Sequence, residues 1–512
     1  MRRLFHIILA ALVLLAGVFF LVLWPVYTLF TLLVVLVLVG AYDLLQTRHT
    51  VLRIYPIVGH FRYLLESFGP EIRQYFVESD TDGTPIDRNH RAYVYKRAKR
   101  QNQTHPFGTE RDLNKPGYAW MPHSIYPAET LDEAPRVVIG GPDCAQPYRA
   151  SLFNISAMSF GALGPNAIRA LNKGAAAGGF FHDTGEGGIS PYHLEGGDLV
   201  WEIGTGYFGC RTSDGRFSAE KFAEQAARPE VRMIEIKISQ GAKPGHGGVL
   251  PAAKNTREIA QIRGVEPHTA VLSPPGHSAF SDARGLLGFV QELRQLSGGK
   301  PVGFKLCIGD RDEFEAICRQ MVATGIKPDF VTVDGAEGGT GAAPIVFSNH
   351  VGMPWEKALI FVVDTLIAYD LKQDVKVLTA TKIFTAFNIF HALCLGADVC
   401  STARGMMLAL GCIQSLSCNT DRCPSGVATT NPARNRGLVV EDKWRRVRNY
   451  QKETVKEFLE IFAAAGCHSL TELNRRRVYV NIDSGLHSYE DIYPTPRPGE
   501  RLDGAVEQAG PA

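Results

Sequence analysis

The chain has 512 residues, 45% hydrophobic and 21% charged, with a formal net charge of +2. These values exclude a disordered chain, leave room for roughly two to four average domains or one large α/β domain with extensions, and give no support for a nucleic-acid partner. Ten cysteines are too few for a disulfide scaffold, and only Cys412, Cys418 and Cys423 stand together.

The N-terminal run from Leu4 to Tyr42 carries no Asp, Glu, Lys or Arg. At ~1.5 Å per helical residue, about 20 residues cross a bilayer core of about 30 Å, so this run predicts a transmembrane hairpin with helices over about 4–23 and 27–45. Its turn is expected at Trp24-Pro25-Val26-Tyr27, because Pro25 lacks the N–H of a continuous helix and Trp24 and Tyr27 suit the membrane interface. Arg2 and Arg3 before the run, with Arg48 and Arg53 after it, place both ends, and hence the catalytic domain, in the cytoplasm. A signal peptide fits less well: the apolar part is too long and has no small-residue cleavage site.

Residues 46–145 read as an adaptor region, 146–435 as the chemistry-bearing domain and 436–512 as a C-terminal helix and tail. In the central region, eight short apolar runs alternate with helix-type spacing: "SLFNISAM", "GFFHDTGEGG", "MIEIKISQGAKPG", "TAVLSPPGH", "VGFKLCIGD", "DFVTVDGAEGGTG", "VKVLTATK" and "ADVCSTARG". That alternation predicts an α/β fold, a (β/α)8 TIM-type barrel whose post-strand loops form the active face, with an open doubly wound sheet as the rival. "GTGYFG" has the spacing of a dinucleotide-binding loop, but "WEI" before it is a poor strand and no helix opens at it, so it reads as a surface loop. "WRRVRNYQKETVKEFLEIFAAAG" is a strong helical pattern ending at Gly466, and the segment after Tyr493 reads as an exposed tail.

Four loops carry the chemistry. "TGEGG" sets Glu186 among glycines that admit close backbone approach. "KISQGAKPGHGG" gathers Lys237, Gln240 and Lys243; Lys237 and Gln240 have opposite strand parity, so Gln240 lies past the strand end. Lys305 stands on an otherwise apolar strand, where it needs an anionic partner. "DGAEGGTGAAP" is a small-residue loop able to lay backbone N–H groups against a phosphate or planar ring. The cysteine spacing is C-x5-C-x4-C, unlike the paired C-x2-C of many zinc sites; Pro424 after Cys423 is like the proline after the last cysteine of ferredoxin runs. Buried structural cysteines remain the alternative.

Taken in order from about Ala145 to Pro432, "MSFGA", "TGEGG", "KISQGAKPGHGG", "SPPGH", "DGAEGGTGAAP", "MPWE" and "GCIQSLSCNTDRCPSGVAT" resemble the FMN-binding synthase domain of glutamate synthases. The N-terminal run with "YPIVGHFRYLLESFGPEIRQYF" resembles a membrane-associated branch of that family. The resemblance implies a barrel that binds FMN and a 3Fe–4S cluster and reduces 2-iminoglutarate to glutamate. It implies that Cys412, Cys418 and Cys423 hold the cluster and that Lys305 lies near the flavin ring. Ser159, Gln240, Gly338, Gly339 and Thr340 would hold the ring or phosphate. Glu186, Lys237, Gln240, Lys243 and Arg263 would surround the oxo-acid, with Glu186 and Lys243 catalytic; Arg263 has the bidentate fork for a carboxylate, an exposed helix-end arginine being the alternative.

The sequence also departs from the family pattern. The loop "TATKIFTAF" has Thr381 and Ala386 where glycine is common, so Thr381 is expected to offer a hydroxyl to the phosphate. No amidotransferase domain precedes the barrel and no nicotinamide-binding unit is evident, so ammonia is expected from solution or an amidotransferase subunit, and electrons from ferredoxin or another donor. The rival readings are an FMN dehydrogenase of another amino or hydroxy acid, and a membrane electron-relay subunit that needs only the FMN and cluster ligands.

Overall fold

Eight short parallel strands close on themselves: β1 (Phe153–Ile155), β2 (His182–Asp183), β3 (Leu199–Ile203), β4 (Val231–Lys237), β5 (Val302–Cys307), β6 (Phe330–Asp334), β7 (Lys376–Thr379) and β8 (Val399–Thr402). Each pairs with its chain neighbours, and β8 pairs back to β1 through Ser401 and Asn154. The computed structural model describes residues 10–19, 25–101, 104–482 and 485–502. It divides into two units, Met1–Gly83 and Thr84–Ala512, so the boundary falls inside the stretch 46–145.

The expected closed parallel barrel is present, with seven of the eight expected strands in it; the eighth place is taken by a run that was not expected to be a strand. "LVWEI" forms β3, with all five residues buried. "TAVLSPPGH" supplies only Val271–Leu272, which pairs antiparallel with Val249–Leu250 in a ribbon outside the barrel. The physical reason lies in Glu202. A glutamate looks wrong in a buried strand until its partner, Lys305 of β5, is seen beside it. A strand therefore does precede "GTGYFG", but the next helix starts only at Ala219, so the loop still lacks the helix N-terminus that a dinucleotide needs.

The helix Val440–Ala464 starts before the expected pattern and ends next to Gly466, whose φ is +70°. It packs on the helices Pro165–Gly178 and Arg88–Lys99. The segment beyond Tyr493 is not a free tail as far as Leu502: Gly499 N and Arg501 N donate to the carbonyls of Ile367 and Ala368 (3.1 and 3.0 Å), and Arg501 pairs with Glu315 at 2.6 Å.

In the N-terminal unit, one helix among the described residues, Tyr27–Leu45, is long and apolar enough to cross a membrane, and Ala10–Phe19 is a shorter apolar helix. Pro25, expected in a turn, instead opens the helix Pro25–Leu45, where its missing N–H costs nothing. Trp24 and the flanks of the first expected span lie outside the described residues.

Trp201 tests the packing of β3. Its ring is fully buried and stacks on Phe222 with centroids 5.1 Å apart, while its Nε1 has no hydrogen-bond partner. Trp201→Ala should cost ~3–5 kcal/mol of stability through the cavity it leaves. Trp201→Phe should cost far less, because no hydrogen bond is lost. Chemical denaturation of the two variants checks both.

Candidate active site

The ends of all eight strands open into one cavity of about 820 Å3. Its floor is the barrel interior. Lys305 Nζ pairs with Glu202 and, at 3.3 Å, with Glu235 Oε2. Thr332 Oγ1 donates to Glu235 Oε1 at 2.5 Å. Asp183, Glu202 and Glu235 have carboxylate oxygens within 4.8 Å of one another. Burial, then the neighbouring Asp183, pushes the Glu235 carboxyl well above its usual range, and burial raises Asp183 too. The close approach of the buried carboxylates favours proton sharing between Asp183 and Glu235. Lys305 lines the cavity, and the carboxylates of Glu202 and Glu235 supply the anionic partners its strand position calls for.

One wall is cationic. Lys237, the last residue of β4, pairs with Glu186 Oε1 at 2.9 Å. Burial works to raise the Glu186 pKa, but Lys237, with Lys243 and Arg263, brings it below the usual carboxylate range. Lys243 is buried, and that burial pulls its ammonium down to about 8. Arg263 is not an exposed helix end: it is buried, its Nη2 donates to the Phe160 carbonyl at 3.1 Å, and its Nε has no partner. His277 of "SPPGH" braces this wall, with Nε2 2.8 Å from the Lys237 carbonyl and Nδ1 3.0 Å from the Tyr207 hydroxyl. Burial lowers its pKa to about 4, so it is neutral and donates from Nε2. Gln240 and Ser159 also line the cavity, Gln240 beyond the end of β4.

The opposite wall carries Gly338, Gly339 and Thr340 after β6, Lys382 after β7, and Arg404 at the start of the Arg404–Leu410 helix after β8. Barrels commonly seat a phosphate at the loops after strands 7 and 8. A Cβ on Gly338 would stand 2.9 Å from the Asp334 carboxylate and 3.0 Å from the Gly335 carbonyl, which favours glycine there, while one on Gly339 would stand 3.1 Å from the Arg404 side chain, which would have to give way. Thr381 is turned away from this wall: its hydroxyl donates to Asp334 Oδ1 (2.6 Å) and accepts from Gly335 N (2.6 Å). It braces the glycine loop, and Lys382 presents the charge instead. Neither Lys382 nor Arg404 was found from sequence; only Lys382, one residue from the flagged Thr381, had a signal nearby.

Cys412 and Cys418 line the same cavity, and Cys423 lies behind them, buried. The three cysteines are not among the described groups whose ligand atoms all lie within 4.8 Å of one another. One tetrahedral zinc, with Zn–S of about 2.3 Å, would need tighter gathering; ligation of separate irons would not. Burial acts to raise the Cys423 thiol, but hydrogen bonds from Ser425 and from the N–H groups of Ala428, Ser425 and Val427 leave it below its ordinary value. Such a nest of donors suits a thiolate. Lys254, missed from sequence, is buried beside them, its Nζ donating to the carbonyls of Ala162 (2.5 Å), Cys418 (3.2 Å) and Ala428 (3.3 Å). From the segment 84–100, Tyr95 donates to the Cys412 carbonyl at 2.6 Å and Gln414 Nε2 donates to the Ile86 carbonyl at 3.2 Å. The donor set thus fits an iron–sulfur cluster, and the glycine loop with its two cations fits a flavin phosphate.

A model of the family described as "Conserved region in glutamate synthase" matches residues 130–468. The chain belongs to the glutamate synthase family. It is 36% identical over 495 residues to the glutamate synthase large subunit-like protein YerD of Bacillus subtilis, covering 87% of this chain and 94% of YerD. It is 34% identical over 339 residues to the archaeal-type glutamate synthase [NADPH] of Thermotoga neapolitana, covering 65% of this chain and 63% of that one. Against the glutamate synthase [NADPH] large chain of Bacillus subtilis the identity is 30% over 335 residues, 63% of this chain but 20% of that one. The match extends past both ends of the motif-bearing stretch, into the long C-terminal helix.

The cationic wall has a pH signature. Lys243 is charged below about 8 and neutral above it, so affinity for a dicarboxylate such as glutarate should fall as pH rises through that value. Calorimetric titration at several pH values checks this, and Lys243→Met should flatten the profile.

Proposed function

We propose that this protein is a glutamate synthase-type oxidoreductase, carrying FMN and a 3Fe–4S cluster, that reductively aminates 2-oxoglutarate through 2-iminoglutarate. The observation that carries this reading is the joint lining of one cavity by a cysteine loop, a glycine loop flanked by Lys382 and Arg404, and Lys237, Lys243 and Arg263 around Glu186. The relatives named glutamate synthase support the reaction and its oxo-acid substrate. Retention of the cationic wall favours an enzyme over an electron relay, which would have no use for it.

In this reading Cys412, Cys418 and Cys423 hold the cluster, with Lys254 offsetting its negative charge. Gly338, Gly339, Thr340, Lys382 and Arg404 hold the FMN phosphate, and Ser159, Gln240 and Lys305 approach the ring. FMN supplies hydride chemistry and accepts electrons singly, which is what joins it to a one-electron cluster. Arg263, through its unpartnered Nε, and Lys243 bind the two carboxylates and orient the imine carbon. Glu186, ionised and held at 2.9 Å by Lys237, takes or returns the imine proton. Ammonia comes from solution or an amidotransferase subunit, and electrons from ferredoxin or another low-potential donor. The apolar N-terminal residues anchor the protein in a lipid bilayer, by two spans in the hairpin reading, with the barrel in the cytoplasm.

Purified protein should contain FMN and give the electron paramagnetic resonance signal of an oxidised 3Fe–4S cluster. Cys412→Ser, Cys418→Ser and Cys423→Ser should each remove that signal, while Cys144→Ser should keep it; zinc without iron would overturn the cluster assignment. Arg263→Ala removes a charged contact of ~2–5 kcal/mol and should slow turnover of 2-oxoglutarate roughly 30-fold or more, with FMN and cluster retained. Unchanged turnover would show that the oxo-acid site lies elsewhere.

A further inference from the structure

After the Tyr27–Leu45 helix comes a connection that holds the short helix Thr50–Ile54, and then the helix Gly59–Ile72, which continues as a π-helical turn over Arg73–Val77. Its apolar residues recur at helical spacing: Phe61, Leu64, Leu65, Phe68, Ile72 and Phe76. At 100° per residue these six fall on one stripe, and each is 42–84% exposed. One flank of the stripe carries the pairs Arg62–Glu66 (2.9 Å) and Arg73–Glu78 (3.4 Å).

The start of this helix is tied to the end of the apolar helix. Asp43, two residues from the end of Tyr27–Leu45, is fully buried. Its carboxylate accepts from Ile57 N at 2.8 Å and lies 2.9 Å from His60 Nε2. Ile57 also packs at Gly40, where a Cβ would stand 3.4 Å from Ile57 Cδ1. The last turn of a membrane span emerges at headgroup level, so this clamp sets the start of the Gly59–Ile72 helix at that level. Arg48 and Arg53 lie in the connection between the two helices, where basic side chains meet anionic headgroups. An exposed apolar stripe that begins at headgroup depth, with charged side chains along its flank, has the composition of a helix lying in the interface plane, its apolar side sunk about 5–10 Å into the boundary of headgroups and acyl chains.

We propose that residues 57–77, a turn at 57–58 and the helical segment Gly59–Val77 after it, lie on the bilayer surface as an interfacial element and take phospholipid as their partner. This rests on the reading that Tyr27–Leu45 spans the bilayer. The segment then acts as a second anchor and fixes the depth at which the chain leaves the membrane.

The test is photo-crosslinking of the full chain, reconstituted in vesicles of phosphatidylethanolamine and phosphatidylglycerol whose acyl chains carry a diazirine near the glycerol backbone. Adducts mapped by mass spectrometry should fall on the 57–77 stripe as well as on 27–45. In the variant Phe61→Glu/Phe68→Glu/Phe76→Glu, whose substitutions are all at exposed positions, adducts on 57–77 should be lost and those on 27–45 retained. Adducts on 27–45 alone in the unmodified chain would overturn the interfacial helix while leaving the span. Adducts on neither segment would overturn the span itself. Lipid adducts on 57–77 that appear only when the protein is diluted to a high lipid-to-protein ratio would assign the stripe to a second copy and overturn the proposal.

Discussion

A lysine inside a closed barrel is the constraint on which the site rests. Lys305 stands in β5 with Glu202 of β3 and Glu235 of β4 around its ammonium. Isolated, any one of these charges would be costly to bury. Together they leave a compact polar layer, in which burial and the nearby Asp183 raise the Glu235 carboxyl above its usual range. Removing one member of such a set strands the others, so this layer specifies which strands neighbour one another as well as the floor of the cavity. It also explains why charged residues sit in strands that otherwise read as apolar.

Above that floor, the loops are tied to one another rather than to their own strands alone. Asp334, at the end of β6, accepts from Gly241 N at 2.9 Å and from the Thr381 hydroxyl at 2.6 Å, so the loops after β4, β6 and β7 share one carboxylate. A side chain at Gly241 would collide with the Gly335 carbonyl, which is why the two glycine-rich motifs approach so closely. The cysteine loop is held from outside the strand loops, by Lys254 on one side and by Tyr95 on the other. The segment 84–100, chemically silent in sequence, thus has a structural task at the cysteines.

The loops that carry chemistry were legible because they place polar and glycine residues where an apolar strand ends, and because their order resembles a known family. Strand β3 was not legible: its inward Glu202 breaks the apolar pattern, and only the lone Lys305 a hundred residues on gives it sense. Val271–Leu272 misled in the opposite way, a β-branched run too short to be more than a ribbon outside the barrel. Lys254, Lys382 and Arg404 escaped notice because a single cation near a loop has no spacing to betray it; burial and convergence on one cavity single them out. Thr381 was noticed for the right reason, an unusual residue in a glycine position, yet its hydroxyl is spent on Asp334 and Gly335.

What the unmodified protein makes is the most direct measure of its function. Purified anaerobically with FMN and cluster in place, and given 2-oxoglutarate, ammonium and a low-potential electron donor, it should form glutamate, measured by isotope-dilution mass spectrometry with labelled ammonium. Absence of labelled glutamate with every low-potential donor, from protein shown to hold both cofactors, would contradict the synthase reading and favour an electron-relay role.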